Sequence, residues 1–225
     1  MDRNNKTYVS SSGFSENDVI SFHDSLLHKS DVDLLTGPYW LNDNLIGFYF
    51  EYLENVTFQG CDKLLFISPQ VTQCLKMSNW RELFAFLDPL NFHQRDFVFL
   101  PVNDCDALEI PGGTHWSLLV LSKPENLFYH LDSCTGSNYS HAWQLGVNIS
   151  KYMRKQVDFT ESECLQQSNS YDCGIHVLCS ADQLASHCIK ENKILGTTRL
   201  NRSTIQAKRH QLLDLIKALK QPTIH

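Results

Sequence analysis

A change of hydrophobic period in the middle of the chain narrows the possible folds more than any other feature. Phe97-Val98-Phe99-Leu100, His115 to Leu121 and Leu127 to Leu131 are short apolar runs broken by Gly, Pro and Asn, and such runs predict adjacent strands. On either side the pattern is helical. Leu41 to Glu54 is apolar or aromatic on almost every side, through Leu45, Ile46, Phe48, Tyr49, Phe50, Tyr52 and Leu53. This predicts a central buried helix opened by Asn42 or Asp43. Ser68-Pro69 opens a second short helix, and Asn79 with Glu82 predicts a capping box for a third. The first third is therefore expected to be mainly helical. After the strands, His141 to Arg154 is helical again and Val157 to Phe159 supplies a further strand. Ile175, Leu178, Ala181, Ala185 and Ile189 then mark a long helix with Asp172 as N-cap, and an amphipathic helix at about Ser203 to Leu219 closes the chain. Helices, then an antiparallel-leaning sheet, then helices describe an α+β fold.

A chain of 225 residues with 42% hydrophobic content carries enough apolar material for one sizeable core, so 18–225 is read as a single domain. The polar, Ser- and Asn-rich stretch 1–17 is expected to be a disordered tail without the apolar segment of a secretory signal. No stretch reaches the roughly 18 to 20 apolar residues that a bilayer needs, so no membrane partner is expected and the protein should be soluble and intracellular. A net charge of -6 gives no basic footprint, which argues against nucleic acid. The eight cysteines lack a CxxC pair, so free thiols are expected, with neither a disulfide framework nor a metal site.

One of those thiols sits where chemistry is favoured. A thiol is nucleophilic as thiolate, and the N-terminus of a helix favours negative charge through its unpaired N–H groups and dipole. Cys173, next to Asp172 and followed by Gly174, occupies that position, whereas Cys179 and Cys188 lie deeper in the helix. The same N–H groups can stabilise the oxyanion formed when sulfur attacks a carbonyl. Thiolate catalysis also needs an imidazole held by a carboxylate. Among ten histidines, His115 stands between the Pro111-Gly112-Gly113-Thr114 loop and an apolar run, and Asp132 ends the next run. If the two strands form a hairpin, both side chains fall at one edge. Gln167, just before the nucleophile helix, is a candidate oxyanion donor, and the residues alone leave Gln166 nearly as good.

Four segments carry a family resemblance: Trp40-Leu41-Asn42-Asp43, Gly113-Thr114-His115-Trp116-Ser117-Leu118, Leu131-Asp132-Ser133, and Gln167-Ser168-Asn169-Ser170-Tyr171-Asp172-Cys173-Gly174. In this order they resemble the sentrin-specific, ubiquitin-like-protein protease family. The resemblance spans roughly Ser21 to His187, and Ser170-Tyr171 is similar to the deneddylase branch, where the SUMO branch usually has Gly-Ser. It implies a papain-like cysteine protease fold, a mixed sheet flanked by helices with the nucleophile at the N-terminus of a buried helix. It implies His115, Asp132 and Cys173 as triad and Gln167 as oxyanion donor. Trp40 and Trp116 would roof a tunnel for the modifier's Gly-Gly tail. Asp43 resembles a modifier-contacting carboxylate, a role that helix capping rivals. The implied partner is the modifier Nedd-8, alternatively SUMO, with conjugates such as cullins. No cofactor is implied, and a monomer in the cytoplasm and/or nucleus is expected.

Overall fold

The computed structural model describes residues 13–15, 17–107 and 112–220. In chain order it contains β1 (Val19–Phe22), β2 (Ser25–His28), α1 (Lys29–Asp33), α2 (Asp43–Tyr52), β3 (Leu64–Phe66), α3 (Pro69–Met77) and α4 (Phe84–Leu87). There follow β4 (Phe97–Asn103), β5 (Trp116–Ser122), β6 (Leu127–Leu131), α5 (Tyr139–Met153), β7 (Asp158–Glu161), α6 (Cys173–Glu191) and α7 (Arg202–Leu219). The fold is α+β. A five-stranded sheet in the order β3-β4-β5-β6-β7 is flanked by helices, and β1-β2 form a separate hairpin.

Local chemistry explains where the helices start. Asn42 Oδ1 accepts the Leu45 amide at 3.1 Å, so Asn42 and not Asp43 caps α2. Ser68 caps α3 with Pro69 at the first helical position, and the Asn79/Glu82 capping box forms over a single 3₁₀ turn. The alternation along the central strands builds two cores, because successive side chains point to opposite faces. Phe97, Phe99, Leu118 and Val120 face α2, α6 and α7, while Val98, Leu100, Leu119 and Leu121 face α3 and α5. Phe99 is fully buried and stacks on Phe66 with ring centroids 4.8 Å apart, so truncating it to Ala should cost about 3 to 5 kcal/mol.

The structure adds to these expectations. The first third is mainly helical as expected, and it also holds β1, β2 and β3, each of three or four residues and too short to show a period. The sheet is mixed as the resemblance implies and leans antiparallel: β4-β5 and β5-β6 are antiparallel at its centre, and β3-β4 and β6-β7 are parallel pairs at the two edges. One expectation is corrected: Phe14, assigned to the tail, packs into the core at 7% exposure, while residues 1–12 and Glu16 of that tail lie outside the described residues.

Candidate active site

Cys173 is the first residue of α6 and is only 1% exposed. Asp172 occupies the N-cap position, yet its side chain makes no cap hydrogen bond. Its carboxylate instead accepts Arg209 Nε and Nη2 at 3.0 and 2.8 Å and Asn169 Nδ2 at 2.8 Å. The expected Asp172 cap is thus replaced by an ion pair, and the amides beside Cys173 are left without a competing carboxylate oxygen. Gly174 has a packing reason: a Cβ there would lie 3.0 Å from Leu41 Cβ, so Leu41 fills the space beside it.

The central hairpin brings the next two candidates together. Leu118 pairs with Leu131 across β5 and β6, so His115 and Asp132 emerge at the same end of the sheet. His115 Nε2 donates to Asp132 Oδ1 at 2.6 Å, and Cys173 lies near enough to the imidazole to act on its charge. Asp132 is 3% exposed and accepts the amides of Cys134 at 2.9 Å and Asn138 at 3.0 Å. Burial works to raise its carboxyl, but His115 and these two amides hold it below the ordinary range. Burial likewise opposes charge on His115, but the Asp132 hydrogen bond and the neighbouring Cys173 prevail and raise it to about 10. Asp104 fixes the other end of the imidazole's backbone by accepting the Thr114 and His115 amides at 2.6 and 3.1 Å. Of the Pro111-Gly112-Gly113-Thr114 loop, Pro111 lies outside the described residues.

The two glutamines separate cleanly. Gln166 turns outward, its amide nitrogen donating to the Asp132 carbonyl at 2.9 Å and its oxygen accepting from Thr135. Gln167 lies inside the loop before α6. Its Nε2 donates to the Asn169 carbonyl at 2.7 Å, and its Oε1 accepts the Ser133 hydroxyl at 2.7 Å. A carbonyl accepts only, so these partners fix which end of the amide faces the helix start. The amide N–H is therefore held by Asn169.

Trp40, Asp43 and Trp116 line one cavity of about 590 Å³, together with Gln70, Gln73 and Gly113. Cys173, His115, Asp132 and Gln167 are not among its lining residues, and the link to them is Trp40, whose Nε1 donates to the Ser170 carbonyl at 2.5 Å. Trp40 is 48% exposed, and Trp116 Nε1 donates to the Leu41 carbonyl at 3.0 Å. With Asn42 as the cap, Asp43 is free of that duty, and its carboxylate faces the cavity and accepts from Gln70 at 3.2 Å.

Sequence reasoning missed four supports: Asn138, Ser133, Asp104 and Arg209. Asn138 is fully buried. Its amide nitrogen reaches the Val102 carbonyl and the Ser117 hydroxyl at 3.1 Å each and the His115 carbonyl at 3.4 Å, so one residue steadies both His115 and Asp132. No local pattern marks such residues, although Ser133 adjoins a quoted motif. All eight cysteines are free, and burial pushes the Cys179 and Cys188 thiols up to about 12 and that of Cys164 to about 11. These thiols are poor nucleophiles at neutral pH.

A thiol opening a buried helix, beside an imidazole held by a carboxylate on a mixed sheet between helices, defines the papain-like thiol proteases. Comparison with known proteins narrows the class. The Ulp1 protease family, C-terminal catalytic domain, matches residues 39–221, and the chain belongs to that family. Sentrin-specific protease 8 of Homo sapiens is 42% identical over 206 residues, covering 89% of this chain and 97% of that protein. NEDD8-specific protease 1 of Arabidopsis thaliana is 34% identical over 218 residues, covering 92% and 95%. The C-terminal Ulp1 protease domain solved in complex with Smt3, the yeast ortholog of SUMO, superposes with a TM-score of 0.72 at 19% identity, covering 93% of this chain and 92% of that one. This last likeness is one of fold. The chain is a cysteine protease specific for ubiquitin-like proteins.

Proposed function

We propose that this protease releases Nedd-8, processing its precursor and cleaving it from conjugates such as cullins, with Cys173 as nucleophile, His115 as base and Asp132 as orienter. The observation that carries the reading is the His115–Asp132 contact of 2.6 Å, with a buried thiol at a helix N-terminus near enough to act on the same imidazole. The thiolate–imidazolium pair attacks the carbonyl carbon of the modifier's last glycine, forming an S–C bond. The negative charge on the carbonyl oxygen is met by the first amides of α6 and by Gln167, once its N–H exchanges the Asn169 carbonyl for the oxyanion. The C–N bond then breaks, and His115 passes its proton to the leaving amine. Water, deprotonated by His115, attacks the thioester and returns the sulfur to its starting state.

Trp40 and Trp116 would flank the tail, since glycines alone leave room for a backbone between two indoles, and Asp43 would meet a polar or basic group of the modifier. The name of the relative from Arabidopsis thaliana favours Nedd-8 over SUMO. We expect a monomer acting in the cytoplasm and/or nucleus. Purified wild type and Cys173→Ala would be treated with C-terminally electrophilic Nedd-8, SUMO and ubiquitin, and adducts read by mass. An adduct of wild type alone, chiefly with Nedd-8, supports the proposal. Preference for SUMO would overturn the modifier assignment, and an adduct on Cys173→Ala would overturn the nucleophile.

A further inference from the structure

Arg209 lies in α7, 37 residues beyond Asp172, yet every acceptor it reaches lies in the segments that lead into Trp40 and Cys173. Its Nε and Nη2 fork onto Asp172 Oδ1 at 3.0 and 2.8 Å. Nη1 donates to the Leu34 carbonyl at 2.9 Å, and Nη2 donates to the carbonyls of Tyr39 at 2.7 Å and Tyr171 at 3.2 Å. The guanidinium also lies 5.6 Å from the Tyr171 ring centroid. These acceptors fall on two stretches of backbone. Leu34 to Tyr39 runs directly into Trp40, and Tyr171 to Asp172 runs directly into Cys173.

Trp40 is half exposed, so packing alone does not fix where its indole sits relative to the segment before Cys173. Two sets of hydrogen bonds do. One is the indole's own bond to the Ser170 carbonyl, and the other is the Arg209 bridge between Tyr39 and Tyr171-Asp172. We infer that Arg209 is a positioning residue that clamps Trp40 against the segment before Cys173 and so sets the width of the passage for the Gly-Gly tail. It touches neither thiol nor tail and acts through Trp40. A planar guanidinium with five donors can span both rims, whereas the compact ammonium of lysine keeps the charge opposite Asp172 and loses the span. The inference rests on the proposed roles of Cys173 and Trp40.

A double-mutant cycle on kcat/KM tests it, with the fluorogenic C-terminal amide of Nedd-8 as substrate. Arg209→Lys is expected to lower kcat/KM about 10-fold, chiefly through KM, as a roof displaced by a fraction of an ångström admits the tail less well. In a Trp40→Ala background the same substitution is expected to cost less than about 2-fold, because the residue it positions is gone. Equal losses in both backgrounds would mean that Arg209 acts through the fold or the nucleophile helix alone, and would overturn the inference. If Trp40→Ala falls below detection, Trp40→Phe keeps a ring but removes the Ser170 bond. There the loss from Arg209→Lys is expected to exceed about 10-fold, since the clamp then holds the roof alone, and an unchanged loss refutes it. Wild type inert toward every modifier substrate overturns the protease reading and this inference with it. An active wild type with a silent Arg209→Lys overturns the inference alone.

Discussion

Asp132→Asn separates the orienting role of Asp132 from its bulk. Three donors converge on the buried carboxylate: His115 Nε2 and the Cys134 amide on Oδ1, and the Asn138 amide on Oδ2. A carboxamide has one accepting oxygen. With that oxygen toward His115, the new NH₂ faces the Asn138 N–H and one buried donor is left unsatisfied, a cost of about 1 to 3 kcal/mol. With the oxygen toward Asn138, the NH₂ faces both Cys134 and His115. The imidazole must then present an acceptor at Nε2 and a proton at the nitrogen facing Cys173, where it cannot receive the thiol proton. In either placement the charge that holds His115 up at about 10 is gone, and burial favours the neutral ring. We therefore expect kcat to fall about 10⁴-fold, about 5 kcal/mol on the barrier, with the fold retained. Turnover of a Nedd-8 fluorogenic amide, circular dichroism and the His115 resonance across pH would check this. Retention of more than about a tenth of kcat, or an unmoved His115 titration, would refute the orienting role.

Gln167→Ala should cost about 10²- to 10³-fold in kcat with KM little changed, and near-normal turnover would end its assignment as oxyanion donor. Gly113 has φ +88°, and a Cβ there would fall 1.8 Å from Asn103 Oδ1, which accepts the Cys105 amide at 2.8 Å. Gly113→Ala should therefore destabilise by about 1 to 2 kcal/mol for the backbone alone and more as Asn103 is displaced, read as a lower midpoint in urea. Because His115 is raised above its ordinary value of 6.5, its contribution to stability is complete below that value and lost as pH rises through about 10. Denaturation across that window should show the loss in wild type and not in His115→Gln.

Short-range physics decided what could be read from the amino-acid order. Strand-forming runs at Phe97, Trp116 and Leu127 and the aromatic helix after Asn42 follow from side-chain period, which a few neighbouring residues establish. The start of α3 follows equally from Ser68 and Pro69, whose effects reach one turn. Cys173 at a helix start, and His115 and Asp132 at the ends of consecutive strands, were legible for the same reason. Tertiary structure alone decided the rest. Strand direction at the sheet edges depends on how the chain returns, which no period encodes, and β3 is too short to declare itself. Gln167 was separated from Gln166 by a hydroxyl 34 residues away. Asp172 was taken from its cap by an arginine 37 residues away. A hydrogen-bond donor meets whichever acceptor packing brings within 3 Å, so such partners exist only once the helices and sheet have closed on one another.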